Sequence, residues 1–152
     1  MPNIISNTSC LITLDNINAL YILKELYHKI YITEEVAKEY GKPIANWVIT
    51  KSIDDKNYLH ILNTIVDLGE ASTIALALQM QENNLMILDD LKARKLAKQL
   101  NCKYTGLLGV LLKAKQQSII SSVTEVFDQL DRVNFRVSEP LKNEVLKLAG
   151  EL

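Results

Sequence analysis

An α/β fold, a three-layer sandwich with a central and mainly parallel sheet, is predicted by three features of this 152-residue sequence. Short apolar runs alternate with longer segments of helical spacing, the order that parallel strands joined by helices require. Leu85-Met86-Ile87-Leu88 is continuously apolar, the form of a parallel strand covered on both faces. From Glu70 to about Gln81 the apolar residues Ala71, Ile74, Ala75, Leu76, Ala77 and Leu78 nearly encircle a helix, which predicts a central, mostly buried one.

The elements follow in order. Ile4-Ile5 reads as a short buried strand running into the turn Ser6-Asn7-Thr8-Ser9. Thr8 or Ser9 is placed to cap a helix carrying Leu11, Ile12 and Leu14. A second helix, about Ile17 to Leu26, repeats Ala19, Leu20, Leu23 and Leu26. Ile30-Tyr31-Ile32 is a strand, and Thr33 opens a helix through about Tyr40 that Gly41 stops. Trp47 to Ile53 alternates weakly, as a further strand or an irregular edge. Asp54-Asp55 starts a helix through about Val66, and Gly69 separates it from the apolar helix. After the strand Leu85–Leu88 come a helix at Leu91–Leu100, a strand at Lys103–Thr105 and a helix at Leu107–Gln117. Helical segments at about Val123–Leu130 and Glu139–Leu148 complete the chain. With no internal repeat, low-complexity tract or linker, residues 1–152 read as a single domain.

At 48% hydrophobic and 23% charged the chain is too apolar for a disordered segment. No apolar run reaches the roughly 18 residues of a membrane span, and Met1-Pro2-Asn3-Ile4-Ile5 lacks the basic start of a secretion signal. The expected compartment is the cytoplasm. Cys10 and Cys102 lack CxxC spacing and read as small buried hydrophobes. His28 and His60 have no second His at ligand spacing, and neither a GxxxxGK[ST] loop nor a GxSxG elbow is present. The formal net charge of −1 conceals an asymmetry. Lys92, Arg94, Lys95, Lys98, Lys103, Lys113 and Lys115 lie between Leu91 and Thr124 with no Asp or Glu among them. That stretch is either a basic face beside an acidic region or a set of solvated helix faces.

In an open parallel sheet the ligand crevice lies beyond the carboxyl ends of the strands. Two polar clusters fall there, Ser6–Ser9 and Asp89-Asp90. One Asp can cap the following helix. A second beside it repels the first unless a cation is present, so the pair is read equally as capping and as a cation or catalytic site. Glu70 opens the apolar helix, where a negative charge is favourable. Glu39 ends its helix, where the charge is unfavourable unless a salt bridge with Lys38 or Lys42 accounts for it. Carboxylates without His or Cys partners match a hard cation such as Mg²⁺ or Mn²⁺.

Together these positions resemble the PIN-domain family of metal-dependent nucleases, and most of all a prokaryotic branch related to toxin–antitoxin ribonucleases. The likeness covers nearly the whole chain. It rests on Ile5-Ser6-Asn7-Thr8-Ser9, Tyr31-Ile32 followed by Glu39, Leu68-Gly69-Glu70-Ala71, Ile87-Leu88-Asp89-Asp90 with Lys92-Ala93-Arg94, and Thr105-Gly106 with Leu108-Gly109-Val110-Leu111. It implies that Glu39, Glu70, Asp89 and Asp90 are catalytic and that, with residue 7, they bind Mg²⁺ or Mn²⁺. It also implies hydrolysis of RNA phosphodiesters, with Thr8, Ser9, Lys92, Arg94, Lys95 and Thr105 against the nucleic acid. An antitoxin protein and a second copy of the chain are the implied partners, and the toxin of such a pair is the implied role. The chain departs from the family pattern at its first site: Asp is expected at position 7, and Asn7 stands there. An amide oxygen still ligates a hard cation but brings no charge, and this opens an alternative reading as a catalytically degenerate domain that binds RNA or a protein partner.

Overall fold

A computed structural model describes residues 2–152. Its sheet consists of β1 (Asn3–Ser6), β2 (Ile30–Thr33), β3 (Val48–Lys51), β4 (Asn84–Ile87) and β5 (Tyr104–Thr105). The spatial order is β3-β2-β1-β4-β5, and every neighbouring pair is parallel. Nine helices connect and cover these strands among the described residues: α1 (Thr8–Asn16), α2 (Tyr21–Tyr27), α3 (Glu34–Tyr40), α4 (Lys56–Asn63), α5 (Leu68–Met80), α6 (Leu91–Gln99), α7 (Leu107–Gln116), α8 (Val123–Arg132) and α9 (Glu139–Leu148).

The period-two alternation of strand side chains divides the core into two layers. Ile4, Ile30, Ile32 and Ile87 point to one side and pack with α1, α2, α7, α8 and α9. Ile5, Met86 and Leu88 point to the other and pack with α4, α5 and α6. Ile5, Met86 and Ile87 are wholly buried. At about 1.5–3 kcal/mol for each fully buried aliphatic side chain, two covered faces stabilise strands only four residues long. Helix α5 is central: Gly69 and every residue from Ala71 to Ala77 are buried in it, as its all-round apolar character requires.

Several boundaries differ from the sequence reading, each for a local reason. Asn7, rather than Thr8 or Ser9, caps α1, its Oδ1 accepting from the Cys10 N–H at 3.1 Å. The second helix starts at Tyr21 because Asn18 takes a positive φ and breaks the turn before it. Gly69 lies inside the first turn of α5 rather than ahead of it, and Asp67 holds the N-cap position. Asp55 caps α4, accepting from Tyr58 N–H at 2.9 Å, and that helix ends at Asn63, short of Val66. The weakly alternating stretch 47–53 contains a true edge strand, β3, paired in register with β2. Gly41 does stop α3, in the left-handed conformation that a residue without Cβ adopts at no cost. Cys10 is buried as expected, whereas Cys102 is only half-buried.

A charged clamp ties the end of the chain to α7 and α8. The Glu151 carboxylate accepts from Val123 N–H at 2.7 Å, Thr124 N–H at 3.0 Å, and the hydroxyls of Thr124 and Ser122, and it pairs with Lys115 Nζ at 2.9 Å. Burial alone would raise the Glu151 pKa. The two backbone N–H groups of α8, the Lys115 ammonium and the Thr124 hydroxyl outweigh it and hold the carboxyl well below the usual carboxylate range. The group therefore stabilises the fold above the ordinary Glu pKa, and the contribution fades as pH falls below that value. Glu151→Ala should lower stability by about 1–3 kcal/mol at neutral pH, as expected when a buried Val123 N–H and several half-buried or exposed donors lose a charged acceptor. Urea titrations of both proteins should show the difference shrinking in acid, whereas a constant difference would assign the loss to packing.

Candidate functional site

Register brings the functional segments to one edge. Ser6 pairs with Ile87 and Ile87 with Thr105, so Asn7, Leu88 and Gly106 follow side by side at the carboxyl ends of β1, β4 and β5. Asn7 N–H donates to the Ile87 carbonyl at 3.2 Å and Leu88 N–H to the Thr105 carbonyl at 2.8 Å, which continues the ladder one residue past the strands. Asn7 and Thr8 are buried there, and Ser9 is exposed.

Helices α3 and α5 are joined by a chain of buried hydroxyls. Ser72 Oγ donates to the Gly69 carbonyl at 2.9 Å and lies 2.6 Å from Thr33 Oγ1. Thr33 Oγ1 itself accepts from Val36 N–H at 3.0 Å, capping α3. Since the one Ser72 hydroxyl proton points to Gly69, the proton between the two hydroxyls belongs to Thr33. The Thr33–Ser72 bond ties the start of α3 to α5, and the last turn of α3 lies beside the first turn of α5. A Cβ built at Gly69 would lie 3.0 Å from Glu39 Oε1 and 3.4 Å from Thr8 Oγ1, so the missing side chain leaves the space that those two groups border. Glu39 is unfavourable at the carboxyl end of its own helix, and the neighbouring N-terminus of α5 compensates for it. Among the described residues neither Lys38 nor Lys42 pairs with it, and Lys42 pairs with Asp15 at 2.6 Å instead.

Glu70 is next to this gap, half-buried. Burial first, and then the charges of Asp67, Asp90 and Glu39, push its carboxyl above the ordinary value, against the pull of its own backbone N–H. The charges of acids from three separate stretches of sequence are thus felt at Glu70. The two adjacent aspartates have different surroundings. Asp90 caps α6, its Oδ2 accepting from Ala93 N–H at 2.9 Å, and stays exposed. Asp89 turns towards α7: it accepts from Leu107 N–H at 3.1 Å and pairs with Arg94 Nη2 at 3.4 Å. Arg94 also donates through Nε to the Leu88 carbonyl at 2.5 Å and lies 5.0 Å over the Tyr104 ring. Gly106 makes this possible, since a Cβ there would overlap both Asp89 Oδ1 and Arg94 Nη2.

The predicted site residues therefore form two neighbouring groups, Glu39, Glu70, Asp90 and Thr8 in one, Asp89, Arg94 and Thr105 in the other. Among the described residues no three His, Cys, Asp or Glu side chains converge closely enough to grip a cation. Thr8 Oγ1 is buried and finds no hydrogen-bond partner, a group with unused capacity beside Glu39. The donors are all oxygens, which suits a hard divalent ion in kind. Of the basic residues, Lys92 and Lys95 are exposed on α6. Lys115 is tied to Glu151, and Lys113 lies over the Tyr27 ring, so the basic stretch is not one continuous face.

Two acids of this edge escaped the sequence reading. Asp67 is legible as a cap only once the start of α5 is fixed at Leu68. Glu35 looks like an ordinary first-turn residue, yet its Oε1 is buried without a partner and its Oε2 lies 3.9 Å from Lys56 Nζ. It shares a hollow with Glu34, Lys38, Glu39, Thr50 and Gly69.

Glu70 offers a test by pH. A carboxyl whose folded-state pKa is raised destabilises the fold once ionised, so stability falls as pH rises from the ordinary Glu pKa through the raised one. In the presence of a chelator Glu70→Gln should remove this component and leave the protein at least as stable at neutral pH. Thermal melting across about pH 4 to 8 measures it. A neutral-pH loss in the variant would mean that Glu70 serves only the α5 terminus.

A sequence-family model described as a PIN domain matches residues 3–151. No curated protein and no solved structure matches the chain. With that match spanning nearly every residue and the parallel sheet and its acidic carboxyl edge in place, the chain belongs to the PIN-domain family.

Proposed function

We propose that this protein is a metal-dependent endoribonuclease that hydrolyses RNA phosphodiesters at the carboxyl edge of its sheet. The observation that carries the reading is the placement of Glu39 against the start of α5, its Oε1 3.0 Å from where a Gly69 Cβ would lie, beside a half-buried Glu70 whose carboxyl is raised by burial first and then by the charges of Asp67, Asp90 and Glu39. Such a concentration of negative charge is costly in the free protein and is relieved by a divalent cation. Membership of a nuclease-type family supports the same reading.

Glu39, Glu70 and Asp90, which stand too far apart in the free protein to grip a cation, would have to close together to hold Mg²⁺ or Mn²⁺, with Asn7 Oδ1 as a neutral ligand. The chemistry that such an ion supplies is a lowered water pKa and neutralisation of charge building on the scissile phosphate. The chain's own residues do the rest. Asp89, engaged by Arg94 and the Leu107 N–H, fixes the mutual position of β4, α6 and α7. The Thr8 hydroxyl, buried and unpartnered, offers a donor and an acceptor beside Glu39. Lys92 and Lys95 hold the phosphate backbone from the exposed side of α6, with Ser9 and Thr105 as further donors. The family likeness adds a role as the toxin of a toxin–antitoxin pair, with an antitoxin protein and a second copy of the chain as partners in the cytoplasm. The absence of any helix long and apolar enough to cross a membrane, among the described residues, is compatible with that.

A second reading rests on Asn7. Its amide caps α1 as a carboxylate would, but leaves the edge one negative charge short. On that reading the domain binds RNA or a protein partner without cleaving it.

Incubating the purified protein with RNA and Mn²⁺ decides between them. Under the first reading the RNA is cut, Asp90→Ala abolishes cutting, and Asn7→Asp speeds it by about tenfold or more, as expected when a ligand charge is restored. Cleavage only by the Asn7→Asp protein would establish the second reading. Equal cleavage by the Asp90→Ala protein would remove this edge as the active site.

A further inference from the structure

Beside Asp89 the carboxyl edge opens into a groove of about 450 Å³, lined by Leu91, Arg94, Tyr104, Gly106, Leu108 and Leu141 among others. Its make-up is unusual for a protein surface. Leu91, the first residue of α6, is 82% exposed, and Leu141 of α9, which lines the same groove, is 43% exposed. The same groove is lined by a tethered guanidinium. Arg94 is held through Nε by the Leu88 carbonyl and through Nη2 by Asp89, and is backed by the Tyr104 ring at 5.0 Å. Gly106 keeps the floor open, since any side chain there would collide with this pair.

We infer that this groove is a base-stacking subsite, which receives one unpaired RNA nucleobase next to the phosphate held at the acidic edge. A flat, tethered guanidinium over an aromatic ring, in a groove also lined by exposed leucines, suits the π-face of a base. Recognition of unstacked bases uses such arginine and aromatic planes, and the volume lies in the range that encloses a small planar ligand. Charge points to the same occupant. On α6, Lys95 and Lys98 follow Arg94 at one and four positions and share with Leu91 the face of a single helix turn repeat. A base in the groove thus has cations beside it for its own phosphates, which a purely apolar peptide would leave uncompensated. The inference rests on the nuclease reading for the nature of the substrate, but it concerns binding and requires no cleavage.

The test uses the full chain in a chelator, so that nothing is cut, with a fluorescent single-stranded RNA of about ten nucleotides, long enough to reach from the groove to the lysines. Leu91→Ser and Leu141→Ser, both at exposed positions, should weaken binding about five- to thirtyfold each, the range of one lost stacking contact. Ile61→Ser, at an aliphatic position on α4 whose exposure lies between those of the two leucines, should leave it unchanged. An RNA with one abasic nucleotide in the bound register should lose affinity for the wild-type protein and not lose it further with the Leu141→Ser protein. Wild-type-like affinity of both leucine variants overturns the subsite while leaving the nuclease reading intact. If the unaltered protein binds no RNA even with Mn²⁺, the nuclease reading itself falls and the subsite with it. A change in sedimentation of the leucine variants with unchanged RNA affinity would assign the groove to a second copy of the chain and overturn the proposal.

Discussion

The arrangement of the acidic edge depends on one buried polar connection, the run of hydroxyls from Thr33 through Ser72 to the Gly69 carbonyl. Each member is wholly or almost wholly buried, so each bond is made where water cannot substitute for it and where leaving it unmade is costly. The chain does two things at once. It caps α3 through Thr33, and it binds the first turn of α5 through Gly69. Glu39, near the far end of α3, and Glu70, near the start of α5, are therefore held as neighbours by atoms that have no part in any chemistry. A second bond to Gly69, from Thr73 Oγ1 at 2.8 Å, leaves that carbonyl saturated and the helix start fixed.

The other side of the edge uses a different device for the same end. Asp89 and Asp90 are successive residues with like charges, and the fold separates their fields by giving each its own helix terminus. Asp90 faces the N–H groups of α6, and Asp89 faces that of α7 at Leu107, with Arg94 supplying the compensating charge. The effect of Asp89 still reaches inward. Burial first, and then the Asp89 charge, raise the Cys10 thiol in α1 to about 12. Two clamps, one of hydroxyls and one of charges, thus converge from opposite sides on the carboxyl end of β1.

Much of this architecture is written locally. The strand at Leu85–Leu88 is continuously apolar and the helix after Glu70 is apolar all round, and both properties follow from being covered on every side, so both elements appear in the structure within one or two residues. The weaker features depend on partners far along the chain. β3 alternates only faintly because it is an edge strand with two of its four residues exposed, and its identity comes from pairing with β2. Gly69 carries the local signature of a break, yet the structure places it inside α5, because what the position requires is the absence of a Cβ opposite Glu39 and Thr8. The acids themselves were legible as residue types at strand and helix ends. Which of Asp89 and Asp90 faces solvent was not, since that is settled by Gly106 and Arg94, at positions whose sequence context gives no sign of the collision a side chain would cause.

Asn7 separates the demands of folding from those of chemistry. Its place in the fold is defined by three requirements: an extended backbone after β1, an N–H aimed at the Ile87 carbonyl, and a side-chain oxygen for the Cys10 N–H. Asparagine meets all three as well as aspartate does, and at a helix N-cap the two are about equally favourable. In a buried position with Asp89 nearby, the neutral residue even avoids a repulsion that the charged one would add. Nothing in the stability of the chain therefore selects for the carboxylate. A charge at this position is justified only by a cation to bind it, and the identity of residue 7 thus bears on the activity of the edge without bearing on the fold that builds it.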